Sequence, residues 1–159
     1  MKPQWWLIIG AMICGTSVGT GAFAAHSLTD HFANVYAGQT REVAGEVIPL
    51  ARKYLQDFKT GAEYQMFHGL ALLAVGIWAL VKQQSGHVAA GLLNWAGWMF
   101  LVGVILFSGS LYALTLSGVR VLGAITPLGG VAFLAGWAFL AVAAFADQRS
   151  SITEKSAAS

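Results

Sequence analysis

Residues 63–80, EYQMFHGLALLAVGIWAL, decide the fold. From Met66 onward the run is apolar enough for a lipid bilayer, yet it opens with a carboxylate, a phenol and an amide and carries an imidazole at His68. Spanning about 30 Å of hydrocarbon takes roughly 20 helical residues. Backbone groups in lipid must bond within their own segment, so a span of this kind is an α-helix. Three more segments meet the same test. The spans fall at about 5–25, 60–81, 88–116 and 121–146. The third is long enough to tilt or protrude, and no alternating ten-residue strands suggest a barrel.

Composition agrees. The chain is 57% apolar and 10% charged, against about 25% charged residues in a soluble domain, which places it among integral membrane proteins. A net charge of +2 without a Lys/Arg run argues against nucleic acid as a partner. The single cysteine, Cys14, excludes an internal disulfide and reads as a packing residue in a helix interface. Lys2, the apolar run and AFAA near residues 22–25 imitate a signal peptide. Gly15 and Gly19, however, have the small-xxx-small spacing of packed membrane helices, so the segment reads as a retained first span.

The expected architecture is an all-α integral membrane domain over residues 1–147. It is a four-helix transmembrane bundle, up-down-up-down, with one sizeable loop at 26–59 and a polar, disordered tail at 148–159. Within that loop Val47, Leu50, Ala51, Tyr54 and Phe58 recur at helical spacing. With Pro49 in the first turn they predict a short amphipathic helix over 49–58. Tight turns at KQQSGH (82–87) and SGVR (117–120) make sequential helices antiparallel neighbours. Trp5, Trp6, Trp78, Trp95 and Trp98 read as an aromatic belt at one interface.

That topology brings the unusual polar residues into one half of the bilayer. His26 ends the first span; Glu63, Tyr64, Gln65 and His68 open the second; Ser108, Ser110 and Tyr112 close the third; Arg120, Thr126 and Pro127 begin the fourth. Polar groups in hydrocarbon cost a few kcal/mol unless paired, so they face a bundle interior. Tyr64 and His68 share a helix face, as do Ser108 and Tyr112. Glu63 points about 100° away, toward the headgroup boundary. Gly103, Gly109 and the TPLGG run with Gly129 and Gly130 read as helix-packing surfaces, and Pro127 as the site of a local bend. Two readings stand side by side. One is a ligand pocket lined by His26, Tyr64, His68, Ser108, Tyr112 and Thr126. In the other, the same groups satisfy one another and fix the packing.

At these residues the sequence resembles a known family. GAFAAH (21–26), EYQMFHGLALL (63–73), LFSGSLYAL (106–114) and RVLGAITPLGGVAFLAGW (120–137) are similar to the signature blocks of domain-of-unknown-function family 423. That family takes in the bacterial YgdD inner-membrane proteins and eukaryotic transmembrane protein 256. The resemblance touches all four helices and implies a small multi-pass membrane protein without an assigned activity. It also implies that His26, Tyr64, Gln65, His68, Ser108, Gly109, Ser110, Tyr112, Arg120, Thr126 and Pro127 occupy motif positions. It does not extend to segment 34–58. By the same resemblance the protein sits in the bacterial inner membrane with both termini cytoplasmic; the Lys/Arg asymmetry, four against five, gives no orientation of its own.

Other chemistries are less well supported. His26 and His68 on facing helices are the only candidates to ligate haem or copper, and no CxxCH, HExxH or acidic cluster accompanies them, so no cofactor is expected. FSGSL is not a G-x-S-x-G elbow, and the glycine-rich runs lack a P-loop lysine, which argues against an enzyme. A small transporter acting as an oligomer is the rival reading, although only one span carries a proline and no repeat is evident. The expected function is non-enzymatic binding of a small or lipidic ligand, or of a membrane partner. The partners are the bilayer itself and a homo-oligomer or larger membrane complex.

Overall fold

A computed structural model describes residues 1–82 and 88–157. It is almost wholly helical. Helix α1 (Pro3–Phe23) starts with proline at its first position, where no N–H is needed. It does not stop at the membrane boundary: a single π-helical turn, Ala24–Leu28, carries it into α2 (Thr29–Val35). A short hairpin follows, β1 (Thr40–Val43) with β2 (Glu46–Pro49), antiparallel with Arg41 opposite Ile48. Ala44 and Gly45 turn it with φ of 51° and 84°, the left-handed pair that a tight two-residue hairpin turn demands. Helix α3 (Leu50–Lys82) runs without a break. Helix α4 (Val88–Gly103) passes through a second π-turn, Val104–Ser108, into α5 (Gly109–Ser117). Gly118 at φ 72° closes α5 by donating its N–H to the Leu114 carbonyl at 2.8 Å. A 3-10 turn, Arg120–Ala124, leads to α6 (Thr126–Ala157).

Four of these continuous helical stretches are long and apolar enough to cross a membrane: Pro3–Val35, Leu50–Lys82, Ala89–Ser117 and Arg120–Gln148. Cross-chain contacts fix their directions. The Met1 amine meets Asn94 at 2.8 Å, and Lys82 pairs with Asp147 at 2.8 Å, so the start of α1, the end of α3, the start of α4 and the far part of α6 share one end. At the other end the Tyr36 hydroxyl donates to the Thr115 carbonyl at 2.9 Å. The path is therefore up-down-up-down.

Three sequence expectations are corrected here. The amphipathic segment expected at 49–58 is not a separate surface helix but the first turns of α3, because Leu50, Tyr54, Phe58, Ala62 and Gln65 continue one buried face across the change in polarity. The segment before it holds a hairpin. Helix α6 continues to Ala157 through the polar stretch expected to be disordered from Gln148. Of the connection expected at 82–87, residues 83–87, with His87, lie outside the described residues.

Two apolar cores stack along the bundle. One gathers Trp6, Leu72, Val75, Leu93, Phe100 and Phe133; the other, toward the end where Tyr36 meets Thr115, gathers Leu28, Phe32, Tyr36, Tyr54, Phe58 and Leu111. A helix of 33 residues is about 50 Å long, roughly 20 Å more than the hydrocarbon it crosses. That excess in α1–α2 and α3 houses the second core. Trp6 is buried, edge-on to Trp98 at 5.5 Å, so it belongs to the core and not to the belt. Trp5, Trp95 and Trp98 remain exposed. Large apolar side chains such as Met12, Val18, Phe67, Ile77, Ile105 and Leu134 face outward around the middle of the bundle; so much exposed apolar surface calls for lipid rather than water.

Close helix approach is made at two of the glycines the sequence suggested, Gly103 and Gly129, and at others it did not mark. A Cβ on Gly10 would sit 2.9 Å from the Gly69 carbonyl oxygen, and one on Gly69 would meet the Cys14 sulfur, so Cys14 does lie in the α1–α3 interface, half-buried. Phe133 fills the notch at Gly103, and Phe100 the notch at Gly136. Gly129 abuts the Phe107 backbone as expected. Gly15, Gly19, Gly109 and Gly130 face open space within the chain; the small-xxx-small stripe of α1 points away from α3. Pro127 occupies the first turn of α6, where its missing N–H is harmless.

Candidate functional site

The polar residues do share one half of the bundle, but they do not form one cluster. Tyr64 and Gln65 are adjacent on α3 and therefore point about 100° apart. They open two different environments.

Gln65 faces the interior between α1, α3 and α5. Its amide donates to the Ile13 carbonyl at 3.0 Å and to Thr16 at 2.8 Å, and its oxygen accepts from the Tyr112 hydroxyl at 2.8 Å. Thr20 lies 3.3 Å from the same hydroxyl, and Ser17 donates to the Ala62 carbonyl at 2.7 Å. Tyr112 reaches this network because Gly61 leaves room: a Cβ there would stand 2.9 Å from its ring. Every buried polar group in the set has a partner, the condition under which a polar network stabilises a bundle. Thr16, Ser17 and Thr20 were not singled out from the sequence. Their signal was the placement of hydroxyls at 16, 17 and 20 in an otherwise apolar span.

His68 faces α6. The Trp137 indole N–H donates to its Nε2 at 3.2 Å, so that nitrogen is the acceptor; Nδ1 carries the proton and donates to the Tyr64 carbonyl at 2.8 Å. The imidazole is neutral with both nitrogens engaged. Its ring lies flat on Phe133, 3.4 Å between centroids and 7° between planes. Tyr64 stacks on Phe107 at 4.6 Å, and its hydroxyl makes no hydrogen bond among the described residues. Phe107, Phe133 and Trp137 were missed in the sequence because aromatics in an apolar span read as lipid-facing. The spacing of Phe133 and Trp137, one helical turn, was the available sign.

Between α3 and α6 these aromatics bound a groove of about 770 Å³, walled also by Phe67, Leu70, Pro127, Val131 and Leu134 and open toward the lipid-facing side. Beside it, at the start of α6, lies a second pocket of about 430 Å³ containing Arg41, Lys53, Arg120 and Asp57 with Leu111, Leu114 and Thr126. Phe107 and Pro127 belong to both. Lys53 is paired with Asp57 on the next turn of α3, while Arg41 and Arg120 have no ion-pair partner among the described residues. Ser110 donates to the Phe107 carbonyl at 3.0 Å and accepts from Thr126 at 2.8 Å, which ties α5 to the start of α6 behind this pocket.

Two expected members stand apart. His26 lies exposed on the π-turn after α1 and makes no contact with His68, whose Nε2 is already occupied; no group of three or more His, Cys, Asp or Glu side chains assembles among the described residues. Ser108 is buried without a hydrogen-bond partner. It sits at the end of the π-turn, where the Gly109 N–H donates to the Val104 carbonyl.

Comparison with known proteins places these features. The family model described as "Protein of unknown function (DUF423)" matches residues 20–130. The chain is 41% identical over 122 residues to a UPF0382 membrane protein of Staphylococcus epidermidis, covering 77% of this chain and 80% of that one. It is 40% identical over the same length and with the same coverage to the UPF0382 membrane protein of Staphylococcus haemolyticus and to UPF0382 membrane protein YwdK of Bacillus subtilis. No solved structure matches it. Four apolar spans, the blocks that carry the matched region and relatives named as membrane proteins agree: the chain is a multi-pass membrane protein that belongs to the DUF423 family.

Proposed function

We propose that the protein is a non-enzymatic membrane protein that holds a lipid molecule in the groove between α3 and α6. The observation that carries this is the groove itself. It is apolar and aromatic along its length, opens on the side that faces lipid, and offers a single unengaged polar group, the Tyr64 hydroxyl. Ligand sites are mostly apolar with a few placed polar groups, and a volume of about 770 Å³ admits an acyl chain. His68 serves as a wall: with both nitrogens bonded it fixes Trp137 and lies flat on Phe133, holding the groove's inner face rigid.

Gly130 supplies the test. It lines the groove and a Cβ there meets open space, so a large side chain can enter without disturbing the bundle. Native mass spectrometry of protein extracted in mild detergent should find co-purified lipid on the wild type and none on Gly130→Trp, at unchanged melting temperature. Equal lipid retention by both would refute the reading.

We further propose that the membrane is the bacterial inner membrane and that both termini lie in the cytoplasm; relatives from bacteria that are named as membrane proteins support the membrane itself. The ends of the chain share one side, since Met1 meets Asn94 and Lys82 pairs with Asp147. A C-terminal fluorescent-protein fusion should be bright and a C-terminal alkaline phosphatase fusion inactive; the reverse pattern would invert the assignment.

A further inference from the structure

We propose that the groove and the basic pocket beside it form one site for an anionic glycerophospholipid, with an acyl chain along the groove and the phosphate between Arg41, Lys53 and Arg120. This rests on the reading of the groove as a lipid site and adds the headgroup class. The two spaces are contiguous, because Phe107 and Pro127 wall both. Their order along the bundle is that of a lipid. The apolar part runs inward on α6 from Pro127 to Trp137, and the charged part begins beyond the first turn of α6, at Arg120. At the helical rise per residue, Pro127 to Trp137 is about 15 Å, half of a hydrocarbon core of about 30 Å. The groove is thus one leaflet deep.

Charge selects the headgroup. The pocket holds three cations and one carboxylate, and Asp57 is already engaged with Lys53. Arg41 and Arg120 are left without a protein counter-ion among the described residues. Planar guanidinium groups suit phosphate oxygens, which they bind in pairs. A zwitterionic headgroup would leave part of this charge unmatched, whereas a net-negative one matches it. Basic pockets between membrane helices recognise anionic headgroups in this way. The wall between the two halves is stiff: Gly129 packs against the Phe107 backbone, and Ser110 bonds both the Phe107 carbonyl and Thr126. The site is therefore formed before the lipid arrives.

The test uses the full chain in mild detergent, supplied with equal amounts of phosphatidylglycerol and phosphatidylcholine of identical acyl chains, and reads bound lipid by native mass spectrometry. The wild type should retain the anionic lipid with roughly 25-fold preference, falling roughly fivefold for each arginine removed. Arg41→Gln/Arg120→Gln should lose the preference yet keep lipid occupancy, and Gly130→Trp should lose both lipids. Both arginines are exposed and unpaired, so melting should be unchanged. Wild type holding the two lipids equally would overturn the headgroup assignment while leaving the groove reading in place. Wild type holding neither would overturn both. Saturable binding of inorganic phosphate that survives Gly130→Trp and abolishes the lipid preference would assign the basic pocket to a free anion and overturn the lipid commitment.

Discussion

Gln65→Leu should destabilise the bundle by about 2 kcal/mol. Leucine keeps most of the volume, so the change removes hydrogen bonds without opening a large cavity. Three bonds are lost: to the Ile13 carbonyl, to Thr16 and from Tyr112. Hydrogen bonds between membrane helices average about 0.6 kcal/mol each, which gives roughly 1.8 kcal/mol. Tyr112 keeps only the longer contact with Thr20, and its poorly satisfied hydroxyl adds a few tenths more. For a chain of this size a loss of about 2 kcal/mol lowers the melting temperature by about 4–8 °C. The assay is thermal unfolding in mild detergent, followed by circular dichroism, for Gln65→Leu, Tyr112→Phe and the double variant. Because the two residues share a bond, the double variant should lose less than the sum of the singles. Strict additivity, or a Gln65→Leu melting temperature equal to wild type, would refute the claim that this network joins α1, α3 and α5.

Gly129→Ala should cost about 1–3 kcal/mol, since its Cβ would run into the Phe107 amide nitrogen, while Gly130→Ala next to it should be neutral or slightly stabilising; melting temperatures of the pair decide. His68→Ala should cost about 2–4 kcal/mol by emptying the space beside Phe133 and leaving the Trp137 N–H unpartnered, whereas His26→Ala on the exposed π-turn should change stability by less than about 0.5 kcal/mol. Tyr36, beyond the spans, has its phenol held above the ordinary value of 10.0 by burial and, secondarily, by Tyr54. A raised value means the neutral form is favoured on folding. Its contribution is therefore complete below about pH 10 and is lost as pH rises through the raised value. Wild type should lose melting temperature in that alkaline window more steeply than Tyr36→Phe, and parallel curves would count against it.

How much of this was legible in the sequence depends on what each feature is made of. The four spans follow from apolar length alone, and their antiparallel order from short connections, so both were readable. Helix α3 was split in two because polarity changes near residue 59, although the buried series Leu50, Tyr54, Phe58, Ala62, Gln65 keeps helical spacing straight through it. The hairpin was missed because its strands are four residues long and its turn is Ala-Gly, without the Asn-Gly or Asp-Gly that usually signals one. Depth in the bilayer was readable for the polar residues, but angle was not. Tyr64 and Gln65 sit at one depth but point about 100° apart on α3, which turned one expected pocket into an interior network and a groove. Small residues misled for a related reason. Spacing marks Gly15 and Gly19 as able to pack, but only a partner's side chain decides which glycine is used, and Phe100, Phe107 and Phe133 choose Gly136, Gly129 and Gly103. Arg41 reaches the basic pocket through a hairpin that the sequence did not suggest, so its meeting with Arg120 had no local signal at all.

The most direct test of the central claim is a crystal structure of the wild-type protein grown from a lipidic phase. The account predicts elongated density between α3 and α6, running from the level of Trp137 past Pro127 and ending in a phosphate beside Arg41 and Arg120. A groove collapsed upon itself, with the Tyr64 hydroxyl bonded to protein and no acyl chain present, would contradict it.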